Sequence, residues 1–171
     1  MPNYTLKHFV NDLETITAAE SDPALITAQA SPLLARLCRS PGAIPAEYRT
    51  APAGQRGRYM LHRAPRFNVT SVIWRPGDEA GSHDHETWGL VGVVENEIQE
   101  TRYTSSGRRD LGGRITLDVK EVLRHKPCAV SALVPPHDEI HVYGKDLAGL
   151  QRHVFDKDGT VRSLVSAKYM N

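Results

Sequence analysis

The sequence predicts a mainly β domain, an antiparallel barrel or sandwich, with α-helices packed on it at the N-terminal end. The first observation is that apolar residues recur at helical spacing only near the start of the chain. The second is that the chain beyond residue 57 consists of short β-type runs with no helical stretch between them. The length of 171 residues suits one domain with a substantial core.

Two helices are predicted in the N-terminal part. In TLKHFVNDLETI, the apolar residues lie three and four positions apart and form one amphipathic face. A second helix is expected to begin near Asp22 and Pro23, because proline is tolerated in a first turn, and to run through Leu37. Pro32 is a candidate point of division within it. Residues 39–57 are rich in Pro, Gly and Ala, and we interpret them as a connector.

Seven short runs after the connector are predicted to be β-strands. Each is rich in β-branched and aromatic residues, and turn clusters such as RPGDEAGS and SSGRRDLGG separate them. Such spacing indicates an antiparallel arrangement. We therefore predict one domain, 1–171, with helices and connector over 1–57 and a β-barrel over 58–171. The runs are RYMLHR, FNVTSVIW, TWGLVGVV, IQETRYTS, RITLDVKEVL, AVSALV and IHVYG.

Composition argues against two classes of partner. Lys and Arg total 21 against 20 for Asp and Glu, so no excess charge favours nucleic acid or an anionic membrane. No apolar run approaches the roughly 20 residues that a membrane-spanning helix needs. The start MPNYTLKHFVNDLE lacks the basic opening and apolar core of a signal peptide. The sequence therefore predicts a cytoplasmic protein.

Two histidines, His83 and His85, stand one residue apart in GSHDHETWG. Side chains two apart in an extended strand project from the same face, so the two imidazoles can share a metal ion. A polar strand end at the surface is the alternative interpretation of such a pair. The pair follows the turn RPGDEAGS and precedes the apolar run WGLVGVV, which must enter a core. This context favours a metal site at the mouth of the barrel.

A third ligand is expected from a later strand, and PPHDEIHVYG contains two candidates, His137 and His141. Alternation along EIHVY places His141 on the same face as Glu139 and Tyr143, so we favour His141. His137 lies in the Pro-rich turn before it and is expected to be an exposed loop residue. The remaining histidines have no partner nearby in sequence and are expected at surface or strand-edge positions; they include His62, His125 and His153.

The segment GSHDHETWGLVGVVENEIQETRY resembles the first motif of the cupin superfamily, and in particular that of the thiol dioxygenases. These comprise the cysteine dioxygenase type I family and its bacterial relatives, which act on other small thiols. PPHDEIH and HVYGKDLAGLQRHVFD resemble the second motif and the tail that follows it. With the N-terminal helices, the resemblance covers most of the chain.

The resemblance implies a cupin double-stranded β-helix that holds one ferrous ion, Fe(2+), on three neutral histidines: His83, His85 and His141. Many cupins add a glutamate four or five residues after the second histidine, where this chain has Gly89 and Leu90. Three neutral ligands leave the iron its full charge and open positions for an anionic substrate and dioxygen. The implied partners are thus a small thiol and O2.

The implied reaction oxidises a small carboxylate-bearing thiol, such as cysteine or 3-mercaptopropionate, to its sulfinate. Arg58 stands where relatives that act on cysteine carry a carboxylate-binding arginine; an ordinary surface arginine is the alternative. Tyr143 resembles the tyrosine whose hydroxyl points at the open face of the iron, and a core aromatic is the alternative. Arg152 is a candidate second anion contact. Trp88 either walls the pocket or packs in the barrel.

The chain departs from the family pattern in three places. WGLVG lacks the cysteine that animal relatives cross-link to the active-site tyrosine, and Glu139 replaces the serine of a Ser-His-Tyr relay. PPHDEIH also runs directly into VYG, through a natural shortening or the absence of a loop, so one histidine stands where relatives have two. His141 is therefore the third ligand or the relay histidine, and His137 is the fallback ligand in the second case. A non-catalytic metal- or ligand-binding cupin module is the alternative function.

Overall fold

The protein is described by a computed structural model that covers residues 3–40, 42–109, 112–133, 142–166 and 168–171. Its described part is mainly β with two α-helices, as the sequence predicts. The helices are α1 (Leu6–Ala19) and α2 (Pro23–Cys38), and a 3-10 helix spans Ala46–Tyr48. The strands are β1 (Gly57–Arg63), β2 (Asn68–Ile73), β3 (Ser82–His83), β4 (Gly89–Gly92), β5 (Ile98–Arg109), β6 (Ile115–His125), β7 (Val130–Leu133), β8 (Val142–Tyr143), β9 (Gln151–Phe155) and β10 (Val161–Val165).

Both predicted helices are confirmed, and each begins at a capping side chain. Thr5 caps α1 in a capping box with His8. The carboxylate of Asp22 accepts a hydrogen bond from the Ala24 amide at 2.8 Å, and Pro23 occupies the first position of α2. In the described part of the chain, no helix has both the length and the apolar character that crossing a membrane requires.

The expected division of α2 at Pro32 is wrong, because α2 runs unbroken through this residue. A proline inside a helix removes one backbone hydrogen bond. Packing offsets that loss, since Ala30 before the proline and Leu34 and Leu37 after it are all buried in the core. Both halves of α2 therefore pack into the same core.

The described strands form three antiparallel sheets. The largest has five strands in the order β1-β2-β8-β4-β7; the second has the order β10-β9-β3, and β5 and β6 form a two-stranded ribbon. These sheets do not close into a single barrel over the part of the chain that the structure describes. Strands β9 and β10 were not among the predicted runs. They matter because β9 is the partner of β3, which carries His83.

One face of the five-stranded sheet packs against the helices. A Cβ atom placed on Gly92 would lie 2.5 Å from Sγ of Cys38 and 2.9 Å from Cγ of Leu34, so α2 lies directly against β4. Leu90, on the same face as Gly92, is fully buried in this core. The main core comprises Tyr4, Phe9, Val10, Leu13, Ile26, Ala30, Leu34, Leu37, Cys38, Ala43, Phe67, Val69, Trp88 and Leu90.

The opposite face, which we call the histidine face, carries Tyr143, whose ring centroid lies 5.1 Å from that of His85. Residues that are directly paired in a sheet share a face. Gly89 pairs with Tyr143 on one side and with Leu133 on the other, so Leu133 belongs to the histidine face. Pairing through β2 places Arg58 there as well, because Asn68 pairs with Tyr143 and Val72 pairs with Arg58.

We predict that Gly92→Ala destabilises the protein by about 1–3 kcal/mol, because its methyl group would overlap α2. Gly81→Ala is the control, since its Cβ would meet only Cγ1 of Val154, at an ordinary 3.8 Å. Urea unfolding of both variants measures the difference. A Gly92→Ala midpoint equal to that of the Gly81→Ala protein would contradict this packing of α2 on β4.

Candidate metal site

The segment that carries the histidine pair is held by β9. Strand β3 has two residues, and Ser82 and His83 pair with Phe155 and Val154. After β3 ends, Asp84 continues the connection: its amide donates to the carbonyl of His153 at 3.1 Å. A two-residue strand provides little hydrogen bonding of its own, so the bonds that Asp84 makes extend the attachment.

Asp84, between the two histidines, is bonded at all four of its polar atoms. Its carbonyl accepts from Nη1 of Arg152 at 2.7 Å. Its carboxylate accepts from the His153 amide at 3.0 Å and contacts Nδ1 of the His153 ring at 2.7 Å. Arg152 is buried and also donates to Oγ of Ser166 at 2.6 Å. Arg152, the candidate anion contact, thus braces the backbone between His83 and His85 in this structure.

His83 and His85 lie side by side, with ring centroids 4.8 Å apart and an edge-to-face angle of 72°. His85 is buried, at 2% exposure, and His83 is half-buried. Nδ1 of His83 lies 2.6 Å from the Gly81 carbonyl oxygen. A carbonyl only accepts, so Nδ1 carries the hydrogen and the lone pair of the neutral ring is on Nε2.

The protonation state of His83 also suits a metal ligand. Burial lowers the pKa of His83 below its ordinary value, and the nearby Arg152 adds to this, while the Gly81 carbonyl opposes it. The imidazole is therefore neutral at neutral pH. Ligating histidines in metal sites typically donate their second ring N–H to a backbone carbonyl in this way. The donor chemistry of this pair thus fits a divalent transition metal.

Tyr143 is buried beside the pair, at 2% exposure. Its ring packs on His85, so contacts within the described residues bring together His83, His85 and Tyr143. The favoured third ligand, His141, lies outside the described residues. The same holds for His137 and Glu139.

Arg58 lies on the histidine face, whereas Trp88 lies in the core on the side of the helices. Arg58 shares the histidine face but pairs with Val72, four residues along β2 from the partner of Tyr143. Nη2 of Arg58 donates to the hydroxyl of Tyr169 at 3.3 Å. Trp88 is buried in the core that includes the helices, and its carbonyl accepts from the Gly144 amide at 3.1 Å. Of the two roles weighed for Trp88, packing matches this position.

A second possible metal-binding group, missed from the sequence, lies next to the pair. One ligand atom from each of Asp84, Glu86 and His153 lies within 4.8 Å of the others. His153 and Glu86 are exposed, and Nδ1 of His153 is 3.6 Å from Oε1 of Glu86. The run HDHE therefore contributes histidines to one group and carboxylates to another. The alternation of the acids with the histidines was the signal in the sequence.

A buried ionic cluster was also not predicted from the sequence. The carboxylate of Glu100, 2% exposed, accepts from Nε of Arg102 at 2.6 Å and from Oγ of Ser131 at 2.8 Å. Nε2 of His125 lies 2.5 Å from the same carboxylate. As expected, His125 and His153 have no partner nearby in sequence, but each contacts a carboxylate; His153 is exposed and His125 is half-buried. Both pairings join residues that are distant in sequence.

One cavity of the described structure is separate from the histidine pair. It has a volume of about 210 Å³ and lies between α2, β2 and β4, with Leu34, Leu61 and Leu90 in its lining. His83, His85 and Tyr143 do not line it. A scan against models of known protein families found no match to this chain.

We predict that Arg152→Met destabilises the protein by about 1–3 kcal/mol, because the Asp84 carbonyl and the Ser166 hydroxyl lose a buried charged donor. Arg162→Met on neighbouring β10 is the control, since Arg162 is exposed and pairs only with Asp156 among its described hydrogen-bond contacts. Urea unfolding compares the two variants. Equal midpoints would show that Arg152 does not brace the histidine segment.

Proposed function

We propose that this chain is an iron-dependent thiol dioxygenase of the cupin type, which oxidises a small carboxylate-bearing thiol to its sulfinate with O2. The observation that carries the proposal is the adjacent pair His83 and His85, with the Nε2 lone pair of His83 available to a metal. The position of Tyr143 against His85 supports it further. The resemblance of GSHDHETWG to the first motif of the thiol dioxygenases supports thiol oxidation as the reaction.

We propose His83, His85 and His141 as the metal ligands. His141 stands two residues before Tyr143, and alternation in a strand gives such residues a common face. Tyr143 is already beside His85, so a histidine on its face is the best candidate to complete the set. If held by these three histidines, ferrous iron would supply open coordination positions for a thiolate and for dioxygen.

The surrounding residues orient the ligands and the substrate. The Gly81 carbonyl fixes the tautomer of His83, and Arg152 holds the backbone of Asp84 between the two histidines. Tyr143, whose ring packs on His85, is the proposed donor whose hydroxyl would hydrogen-bond an oxygen atom of the reactants. Arg58, on the same face of the sheet, is the proposed anchor for the substrate carboxylate, since its planar fork can donate two parallel hydrogen bonds.

We predict that His83→Ala and His85→Ala abolish stoichiometric iron binding, because each removes one of three ligands. The control is His153→Ala, which removes a histidine from the neighbouring Asp84–Glu86–His153 group and should retain iron. Iron content after anaerobic ferrous loading and desalting measures the difference. Iron retained in His83→Ala but lost in His153→Ala would show that the metal binds at the exposed group instead.

The second candidate function is a non-catalytic metal-binding module, and the exposed group of Asp84, Glu86 and His153 supports it. Activity assays on the same samples distinguish the two functions. Oxygen uptake is measured with cysteine, 3-mercaptopropionate and mercaptosuccinate. Thiol-dependent uptake that disappears in His83→Ala supports the dioxygenase. Iron binding without uptake for any of the three thiols would favour the module.

We predict that Arg58→Gln weakens the binding of carboxylate-bearing thiols by about 1.5–3 kcal/mol. This corresponds to a KM that is roughly 10- to 150-fold higher. The reason is the loss of a charge-assisted pair of hydrogen bonds. Arg124→Gln on the ribbon is the control, since Arg124 is exposed and pairs with Glu97. Steady-state oxygen uptake gives KM for both variants. A KM that is the same in both would remove Arg58 from substrate binding.

A further inference from the structure

The last four residues of the sequence lie along the edge of β1 that β2 does not occupy. The Met170 amide donates to the Arg58 carbonyl at 2.9 Å. The side-chain amide of Asn171 bonds both backbone groups of Met60, accepting from the nitrogen at 2.9 Å and donating to the oxygen at 3.0 Å. We call residues 168–171 the edge segment. It pairs with an otherwise open sheet edge in the described structure and is thereby fixed beside Arg58.

Tyr169 of the edge segment lies on the guanidinium of Arg58. Cζ of Arg58 is 4.5 Å from the centroid of the Tyr169 ring, and Nη2 donates to the tyrosine hydroxyl at 3.3 Å. A cation over an aromatic face is attracted by the ring, and more strongly when the pair is partly desolvated. Two kinds of contact, with the ring and with the hydroxyl, therefore restrict the same arginine side chain.

The hydroxyl of Tyr169 is itself oriented. It donates to Oδ1 of Asp146 at 3.2 Å, and the other oxygen of Asp146 pairs with Arg63 at 2.8 Å. Burial raises the pKa of Tyr169 above its ordinary value, so the hydroxyl keeps its proton at neutral pH. The phenol therefore accepts from Arg58 while it donates to Asp146. These bonds connect Arg58 to the edge segment through Tyr169 and to the loop after β8 through Asp146.

We propose that Tyr169 is a positioning residue that orients Arg58 for the carboxylate of the thiol substrate. This inference rests on the proposed function. Arginine has many rotamers, and an anion that must first select one of them binds more weakly than an anion that meets an ordered guanidinium. Tyr169 reduces that freedom before binding. It thereby sets the preference for thiols that carry a carboxylate over those that lack one.

The first test compares cysteine with cysteamine, which lacks only the carboxylate, in oxygen-uptake assays of the iron-loaded full chain. In Tyr169→Leu we expect KM for cysteine to rise about three- to ten-fold through the loss of the cation–π contact, with kcat within about two-fold. KM for cysteamine should not change. Tyr169→Phe keeps the ring and should show a smaller rise for cysteine.

Tyr59→Leu is the matched control. Tyr59 is the residue after Arg58, and its hydroxyl also donates to a neighbouring group, the Thr50 carbonyl, at 2.8 Å. It lies on the opposite face of β1. This variant should leave the ratio of the two KM values unchanged. Equal changes for cysteine and cysteamine in Tyr169→Leu would show a merely structural role and overturn the proposal.

A second measurement does not depend on turnover or on iron. Propionate is titrated into the metal-free protein while the Arg58 side-chain Nε–H resonance, assigned by its loss in Arg58→Gln, is followed by NMR. We expect a dissociation constant that is about three- to ten-fold higher in Tyr169→Leu than in the unmodified chain. Equal constants, or no propionate-dependent shift in the unmodified chain, would overturn the role of Tyr169. If thiol-dependent oxygen uptake is absent, the proposed dioxygenase function is wrong. The propionate titration would still decide whether Tyr169 orients Arg58 for a carboxylate.

Discussion

The histidine pair depends on the attachment of Asp84 to β9. Strand β3 ends at His83, and His85 follows beyond any ladder of backbone bonds. The four polar atoms of Asp84 are bonded to Arg152 and His153, which fixes the peptide between the two imidazoles. A site that needs two rings at a defined separation requires such a fixed backbone, because errors of about an ångström in ligand position weaken metal binding.

That attachment also explains how one short run of sequence serves two environments. The rings of His83 and His85 pack against each other and that of His85 packs on Tyr143, whereas the Asp84 carboxylate bonds to the exposed His153. Desolvation keeps the ring of His83 neutral, which suits coordination. The carboxylate of Asp84 contributes hydrogen bonds to His153 instead. Burial therefore separates two sets of potential metal ligands that alternate in the sequence.

Local patterns in the sequence were sufficient for much of this architecture. Helical periodicity and the proline of the first turn, Pro23, predicted α1 and α2, and β-branched runs predicted β1, β2 and β4. Strand β9 was missed because its burial inverts the usual pattern: the charged Arg152 is buried in QRHVF and its neighbours Gln151 and His153 are exposed. Spacing identified His83 and His85, but the bracing of Asp84 joins residues nearly 70 positions apart, which no local pattern encodes.

The ionic cluster around Glu100 attaches the ribbon of β5 and β6 to the large sheet. A two-stranded hairpin alone is marginally stable in water. Here Arg102 and Glu100 on the ribbon both bond the hydroxyl of Ser131, which belongs to β7 of the large sheet. Peeling the ribbon away would break those bonds and leave a buried serine without them. Opening at this contact therefore costs the free energy of these buried bonds, which favours the attached ribbon over a separate hairpin.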